Sequence, residues 1–132
     1  MKLTAQDLQI GDWVLYNNEP NIIAEVSEII QGEAEVCFAV SNYMANIDEI
    51  KPFPITPEIL ENNGFEKLEE KYYRRFLEEK GYYESVRVYF DEEPNVAVRV
   101  LDGSEFKGRI KYIHELQQAM RLCNIKGKEI KL

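Results

Sequence analysis

The sequence predicts an α+β protein, with an N-terminal small SH3-like β-barrel followed by an antiparallel sheet that is packed by a C-terminal α-helix. Three observations lead to this prediction. Short apolar segments alternate with turn residues in the N-terminal part, alternating valines indicate a later hairpin, and an apolar stripe at helical spacing lies near the C-terminus. With 132 residues, 45% of them hydrophobic, the chain can bury a core without disulfides or metals.

The predicted barrel lobe covers residues 1–54. Thr4 and Asp7 have the spacing of a capping box, which predicts a one-turn helix near the start of the chain. Turn clusters separate runs that are predicted to be strands over residues 12–16, 22–30, 33–40 and 47–53. Four or five short strands joined by tight turns are typical of a small SH3-like barrel.

The second lobe, residues 55–132, is expected to begin with a short helix. Thr56 supplies a capping hydroxyl, Pro57 suits the first helical position, and Glu58 places a carboxylate at the positive end of the helix dipole. Gly64 is expected to end the helix, because glycine readily adopts the backbone conformation that follows a last helical turn. This helix separates the barrel from the second lobe.

Residues 65–81 fit two different structures. As a helix, the segment places four apolar residues on one face: Phe65, Leu68, Tyr72 and Phe76. As a strand, residues 71–77 pair with residues 82–90, and the aromatic residues of the two runs then face one another across the strands. The periodicity favours the helix, and the residues alone leave both structures open.

An antiparallel hairpin and a helix are predicted after this segment. The hairpin is indicated by two runs of alternating apolar residues: Val86, Val88 and Phe90, then Val96, Val98 and Val100. The helix is predicted at about residues 112–124, with an apolar stripe formed by Ile113, Leu116, Met120 and Cys123. This stripe is expected to pack on the hairpin.

Charge is unevenly distributed along the chain. Residues 1–60 hold ten acidic and two basic residues, whereas residues 61–132 hold fourteen of each. From Lys107 to the end, seven residues are basic and two are acidic. An acidic lobe repels phosphate, so we expect no nucleic-acid binding there. The segment after Lys107 supports an alternative function as a nucleic-acid-binding accessory protein.

The only histidine, His114, is followed by Glu115, as in helical zinc-protease motifs. Such a motif needs a second histidine one turn later, where this chain has Gln118, and a carboxamide oxygen is a poor zinc ligand. We therefore predict no enzyme, no catalytic residues, no metal and no cofactor. A degenerate metal-dependent hydrolase around His114 and Glu115 is the alternative.

His114 is instead expected to lie beside Gln118 and Arg121 on the polar or half-buried flank of the last helix. These three residues are retained as candidate binding residues. Their partner is expected to be a protein.

Two tyrosine pairs with nearby arginines form the other candidate site. In a sheet, each pair sends one ring to the core and the other ring to the opposite face. Tyrosine and arginine anchor interfaces, so the candidate binding residues here are Tyr73, Arg75, Tyr83 and Arg87. Surrounding glutamates disfavour single-stranded nucleic acid, so a protein partner or a homo-oligomer is expected.

The cysteines and the apolar runs bear on location. Cys37 and Cys123 lie among apolar neighbours without CxxC spacing, so we expect buried free thiols. No run approaches the ~18 apolar residues of a membrane span, and polar residues interrupt the N-terminus before a signal sequence could form. We expect a cytoplasmic protein without membrane contact.

Three segments, "IGDWVLY", "PFPITPEILENNGFEK" and "IKYIHELQQAMRLCNI", resemble a group of small uncharacterised proteins of gut Bacteroidetes, often found in phage or mobile-element contexts. Members of the group read "VHELQH" where this chain has "IHELQQ", so Gln118 departs from their pattern. The resemblance implies that the segment after "GFEK" is a strand, and it implies no activity. We expect a non-catalytic protein-interaction or accessory module of a phage or mobile element.

Overall fold

The computed structural model describes residues 2–28, 34–76, 85–90, 94–99, 105–122 and 130. The chain divides into two compact units, Met1–Phe53 and Pro54–Leu132. Each unit contains one five-stranded antiparallel sheet, and the C-terminal unit adds two α-helices. The α+β class is therefore confirmed.

The N-terminal unit is a five-stranded sheet with the strand order β4-β3-β2-β1-β5. Its strands are β1 Trp13–Tyr16, β2 Glu19–Glu28, β3 Ala34–Phe38, β4 Met44–Asn46 and β5 Ile50–Pro52. The first part of β2 pairs with β1 and the rest pairs with β3, with a register shift between Ile23 and Glu25. Within the described residues β4 and β5 remain sheet edges, so a closed barrel is not confirmed.

The turn between β1 and β2 is shorter than the sequence predicts. Asn17 and Asn18 have positive φ angles of 52° and 62° and form the whole two-residue loop. Asparagine tolerates this left-handed conformation, and two such residues match the twist of a hairpin. The strand β2 therefore begins at Glu19, not at Ile22.

Alternation along β3 builds the core of the N-terminal unit. Ala34, Val36 and Phe38 are buried, whereas the residues between them are half-buried. Cys37 is one of the half-buried residues and is a free thiol, so the expected full burial of this cysteine is wrong. It lies on the outward side of β3 because Val36 and Phe38 occupy the inward side. Cys123 lies outside the described residues.

The predicted one-turn helix at the start of the chain is confirmed as a 3₁₀ turn, Ala5–Asp7. The Asp7 carboxylate accepts hydrogen bonds from the backbone N–H of Thr4 at 2.8 Å and from the Thr4 hydroxyl at 3.0 Å. These two contacts satisfy groups that the short turn leaves without backbone partners.

The C-terminal unit contains a sheet with the order β10-β9-β8-β7-β6. Its elements are α1 Pro57–Asn62, β6 Glu66–Glu69, β7 Tyr72–Phe76, β8 Ser85–Phe90, β9 Pro94–Arg99, β10 Glu105–Arg109 and α2 Ile113–Leu122. The predicted start of α1 is confirmed, because Thr56 Oγ1 accepts a hydrogen bond from the Ile59 N–H at 3.3 Å. Gly64, with φ 81°, follows the last turn as predicted.

The segment after α1 forms strands, so the helix that its periodicity favours is wrong. The hairpin of β6 and β7 continues into β8, with Tyr72 opposite Tyr89 and Tyr73 opposite Val88. Pairing with β8 decides the structure, because contacts such as that between Tyr72 and Tyr89 join neighbouring strands and are not part of the local periodicity. Residues 77–84, and with them Tyr83, lie outside the described residues.

The predicted hairpin and C-terminal helix are both present. The strands β8 and β9 pair antiparallel with Val86 opposite Val98, and α2 contacts β9. Ile113, Leu116 and Met120 of α2 are buried, as the predicted stripe requires. Among the described residues, no helix has the length and apolar character needed to cross a bilayer.

Leu116→Ala is expected to lower the free energy of unfolding by about 2–5 kcal/mol, because Leu116 is fully buried and its loss leaves a cavity. Leu122→Ala is the matched control. This residue lies on the same helix but is exposed, so its change is expected to stay within about 0.5 kcal/mol. Urea unfolding followed by circular dichroism measures both, and equal effects would contradict the described packing of α2.

Candidate functional site

The side chain of His114 lies in the core of the C-terminal unit and is only 1% exposed. Its ring stacks on Tyr112, with centroids 5.9 Å apart and an interplanar angle of 13°. The expected position on the polar or half-buried flank of the helix is therefore wrong. The physical reason is the wide buried arc of α2, which also includes its neighbour Ile113 and the amide of Gln117.

Glu115, the second residue of the His-Glu motif, caps the helix. Its Oε1 atom lies 3.2 Å from the backbone N–H of Lys111 and 3.2 Å from that of Tyr112, and accepts a hydrogen bond from each. The carboxylate thus satisfies donors at the N-terminus of α2. The part of the chain that the structure describes contains no group of three or more His, Cys, Asp or Glu residues that could hold a metal ion.

The other two helix candidates do not share the burial of the histidine. Gln118 and Arg121 are half-buried, whereas the histidine ring is enclosed in the core. The spacing places all three residues along one side of α2, but the structure does not bring the ring of His114 to the surface with its two polar neighbours. A binding role for Gln118 and Arg121 stays a prediction.

The tyrosines and arginines of β7 divide between the two faces of the sheet. Tyr73 is buried and lies opposite Val88, and Arg75 lies opposite the fully buried Val86. Both therefore belong to the inner face. Burial lowers the pKa of the Arg75 guanidinium below its usual value. Tyr73 is thus buried, Arg75 is half-buried like Arg74, and the binding role of Tyr73 and Arg75 stays a prediction.

The opposite side of the sheet carries four residues that we call the outer sheet face: Tyr72, Arg74, Arg87 and Tyr89. Tyr72 lies directly opposite Tyr89, with ring centroids 4.3 Å apart and an interplanar angle of 52°. Tyr89 is 42% exposed. Of the predicted tyrosines and arginines that lie in the described strands, Arg87 is the one on this surface.

Arg74 and Arg87 occupy directly opposite positions on β7 and β8. Like charges at such positions destabilise a sheet by roughly 0.2–1 kcal/mol. The Nε group of Arg87 donates a hydrogen bond to the Ser85 hydroxyl at 3.2 Å, which restrains the arginine along its own strand. The register thus places two arginines side by side on neighbouring strands.

The hydroxyl groups of the tyrosine pair are linked. The pKa of Tyr89 is raised by its hydrogen bond with Tyr72 and, to a smaller extent, by burial, while the charge of Arg87 acts in the opposite direction. The two rings therefore behave as one unit on the outer sheet face. Sequence reasoning identified the residue types but could not connect these two positions.

The edges of the sheet differ in charge. On one edge, β6 is exposed and places Glu66 opposite Arg74 and Glu69 opposite Tyr72. On the other edge, β10 includes the first residues of the basic segment that begins at Lys107. The register gives two rows across the sheet: Tyr72, Tyr89, Asn95 and Arg109, and beside it Arg74, Arg87, Ala97 and Lys107. The basic segment and the tyrosine pair therefore share one sheet.

A signal for the correct residues of the outer sheet face exists in the sequence. Val86 and Val88 alternate with Arg87 and Tyr89, so burial of the valines places this arginine and this tyrosine outward. The partners on β7 could not be found in the same way, because the register between the two strands is not readable from the residues.

Comparison with known protein families, with curated proteins and with solved structures gives no match for this chain. The functional argument therefore depends on the geometry of the described residues.

Tyr72→Phe is expected to bring the pKa of Tyr89 down towards its ordinary value of 10.0, because the variant lacks the hydroxyl that forms the hydrogen bond. A raised tyrosine pKa means that the folded state holds a proton that the unfolded chain has lost, so stability falls as the pH rises above about 10. This fall is expected to be shallower in the variant. NMR titration of the Tyr89 ring measures the shift, and an unchanged pKa would contradict the linked pair.

His114→Ala is expected to destabilise the C-terminal unit by about 2 kcal/mol or more, because it removes a buried ring. Gln118→Ala, at a half-buried position of the same helix, is expected to have a smaller effect. A chelator is expected to leave the unfolding midpoint of the natural chain unchanged. A midpoint that falls on chelation, and no longer does so in His114→Ala, would instead indicate a metal site at this ring.

Proposed function

We propose that this protein is a non-catalytic interaction module whose outer sheet face binds an acidic, partly apolar segment of a protein partner. The observation that carries this proposal is the pair of arginines, Arg74 and Arg87, held opposite each other beside the Tyr72–Tyr89 pair. A carboxylate placed beside both arginines gains charge-assisted hydrogen bonds from their guanidinium groups.

The tyrosines supply the apolar part of the proposed contact. Tyrosine and arginine are the residues that most often contribute binding energy at protein interfaces, and rigid tyrosine rings lose little conformational entropy on binding. Tyr89 is exposed, and its contact with Tyr72 already fixes its position. The outer sheet face thus combines preorganised aromatic surface with concentrated positive charge.

The residues of the His-Glu motif have structural roles that support a contact function over the hydrolase alternative. His114 is enclosed in the core against Tyr112, and Glu115 holds two backbone N–H groups. A water-activating carboxylate needs access to a substrate, and this carboxylate is occupied as a helix cap.

Single-stranded nucleic acid is the second candidate ligand of the same face. The two arginines beside the tyrosine pair favour it, because basic residues next to aromatic rings are a common platform for nucleic acids. Glu66 lies opposite Arg74 and Glu69 lies opposite Tyr72, and the whole chain carries a net charge of −8. A short acidic peptide avoids these carboxylates more easily than a continuous phosphate backbone does.

The setting of this function is also a proposal. The order in which β5 returns to β1, while β2 passes from one half of the sheet to the other, supports an SH3-like barrel for the N-terminal unit. The resemblance of the sequence to phage and mobile-element proteins supports an accessory role in such an element, acting in the cytoplasm.

Three fluorescein-labelled probes test the outer sheet face by fluorescence anisotropy: a short peptide of glutamate and leucine, its twin in which lysine replaces glutamate, and a single-stranded oligonucleotide. The acidic peptide is expected to bind, and the double variant Arg87→Ser, Tyr89→Ser is expected to weaken its binding by about tenfold or more.

Lys71→Ser is the control for this experiment, because it removes one positive charge from an exposed turn beside β7. It is expected to change the affinity for the acidic peptide by less than about threefold, because a charge at the rim of an interface contributes little to affinity. Equal losses of affinity in Lys71→Ser and in the double variant would mean that only the net charge of the protein matters, and would contradict the proposal. Binding of the oligonucleotide in preference to the acidic peptide, lost in the double variant, would establish the second candidate instead.

A further inference from the structure

The N-terminal unit presents a separate group of exposed apolar side chains that has no part in the proposed function of the outer sheet face. Val40, Tyr43 and Met44 are 92%, 52% and 47% exposed and lie within five consecutive residues, in the turn after β3 and at the first position of β4. We call these three residues the apolar tip. Large exposed side chains scattered singly are common on proteins, but a group at one tip indicates a contact surface.

The backbone of the apolar tip has a defined conformation. The Phe38 N–H donates to the Tyr43 carbonyl at 3.0 Å, and the Asn42 N–H donates to the Phe38 carbonyl at 3.0 Å. Asn42 takes a left-handed conformation with φ 55°, and the Tyr43 N–H donates to the Ser41 hydroxyl at 3.3 Å. Because the loop is ordered before any ligand arrives, binding costs less conformational entropy.

Aromatic contacts connect the apolar tip to the core of its unit. The Tyr43 ring lies 5.5 Å from the Tyr16 ring, and the Tyr16 hydroxyl donates to the Tyr43 hydroxyl at 3.3 Å. The Tyr16 ring in turn lies 5.4 Å from the buried ring of Phe38. The exposed tyrosine is therefore the outer end of a column of three rings that begins in the hydrophobic core.

The charge around this column is strongly negative. Residues 1–53 contain nine acidic residues and two basic ones, Lys2 and Lys51. Lys2 is already paired with Asp48, with its Nζ atom 3.7 Å from the carboxylate. Beside the column, Glu19 lies directly opposite Tyr16 in the hairpin. The pKa of Tyr16 is raised first by its hydrogen bond with Tyr43, and the negative charge of Glu49 contributes in the same direction.

We propose that the apolar tip, with Tyr16 and the carboxylates beside it, is a second docking surface that binds a cationic protein segment with an aliphatic or aromatic anchor residue. The apolar side chains receive the anchor, and Glu19 and Glu49 attract its lysine or arginine neighbours. The two surfaces of the chain therefore select partners of opposite charge, and the protein acts as a bridge between a basic and an acidic segment.

A peptide segment fits this surface better than the other ligands that bind apolar loops. The acidic charge of residues 1–53 repels both phosphate backbones and anionic lipid headgroups. A second copy of the chain is the remaining alternative, because its outer sheet face is basic, and mass measurements distinguish this case.

The lysine–leucine peptide described above is the probe for the apolar tip, used with the full chain. The double variant Val40→Ser, Tyr43→Ser is expected to weaken its binding by about tenfold or more. Ile10→Ser, which removes another exposed apolar side chain from the same unit, is the matched control and is expected to leave the affinity unchanged. Glu19→Lys, at an exposed position opposite Tyr16, tests the charge separately and is expected to weaken binding while the unfolding midpoint stays close to that of the natural chain.

The variants also separate this proposal from the proposed function. The double variant Arg87→Ser, Tyr89→Ser should bind the basic peptide normally and the acidic peptide weakly. The tip variants should bind the acidic peptide normally and the basic peptide weakly. Equal affinity of the basic peptide for the tip variant and for the natural chain would overturn the second docking surface. Absence of binding at millimolar peptide would also overturn it. A concentration-dependent dimer in light scattering, lost in the tip variant, would overturn it in favour of a second copy.

Discussion

The strict two-residue alternation of the strands β7 and β8 is the constraint on which the candidate site depends. The inner side of the C-terminal sheet is filled by Tyr73, Val86 and Val88. Because successive side chains of a strand point to opposite faces, the residues between them lie on the outer side. The antiparallel register then sets tyrosine against tyrosine and arginine against arginine. Like charges at opposite positions do not favour this pairing by themselves. Burial on one side of the sheet therefore determines which residues lie side by side on the other.

The C-terminal helix shows how a sequence motif can have a structural explanation. His114 and Glu115 have the order of a hydrolase motif, yet one side chain fills the core and the other caps the helix on which both stand. A helix that packs over a wide arc also buries polar residues at the edges of that arc. Periodicity alone does not distinguish these buried polar residues from the exposed polar ones. The missing second histidine at Gln118 was the part of the motif that sequence could evaluate, and the geometry gives each remaining residue a different role.

The fold class, the capped helix α1, the valine hairpin and the buried stripe of α2 were predictable because each has a local signal in proline, glycine or periodic apolar residues. The outward residues of β7 were not. The stretch Tyr72-Tyr73-Arg74-Arg75 consists of two doublets, so a shift by one residue exchanges the faces without changing the pattern. Likewise, the register that brings β10 into the same rows as the tyrosines joins segments that are distant in the chain, and no local rule specifies it. The apolar tip was missed because its residues lie around a loop, where alternation has no meaning.

The strand β2 has a further consequence for the N-terminal unit. One end of this strand is bonded to β1 and the other end to β3, on either side of the register shift at Ile23 and Glu25. Neither half of the sheet can open without releasing hydrogen bonds that belong to the same continuous strand. Because one continuous strand belongs to both halves of the sheet, we expect the amide hydrogens of β2 to be protected together against exchange with solvent.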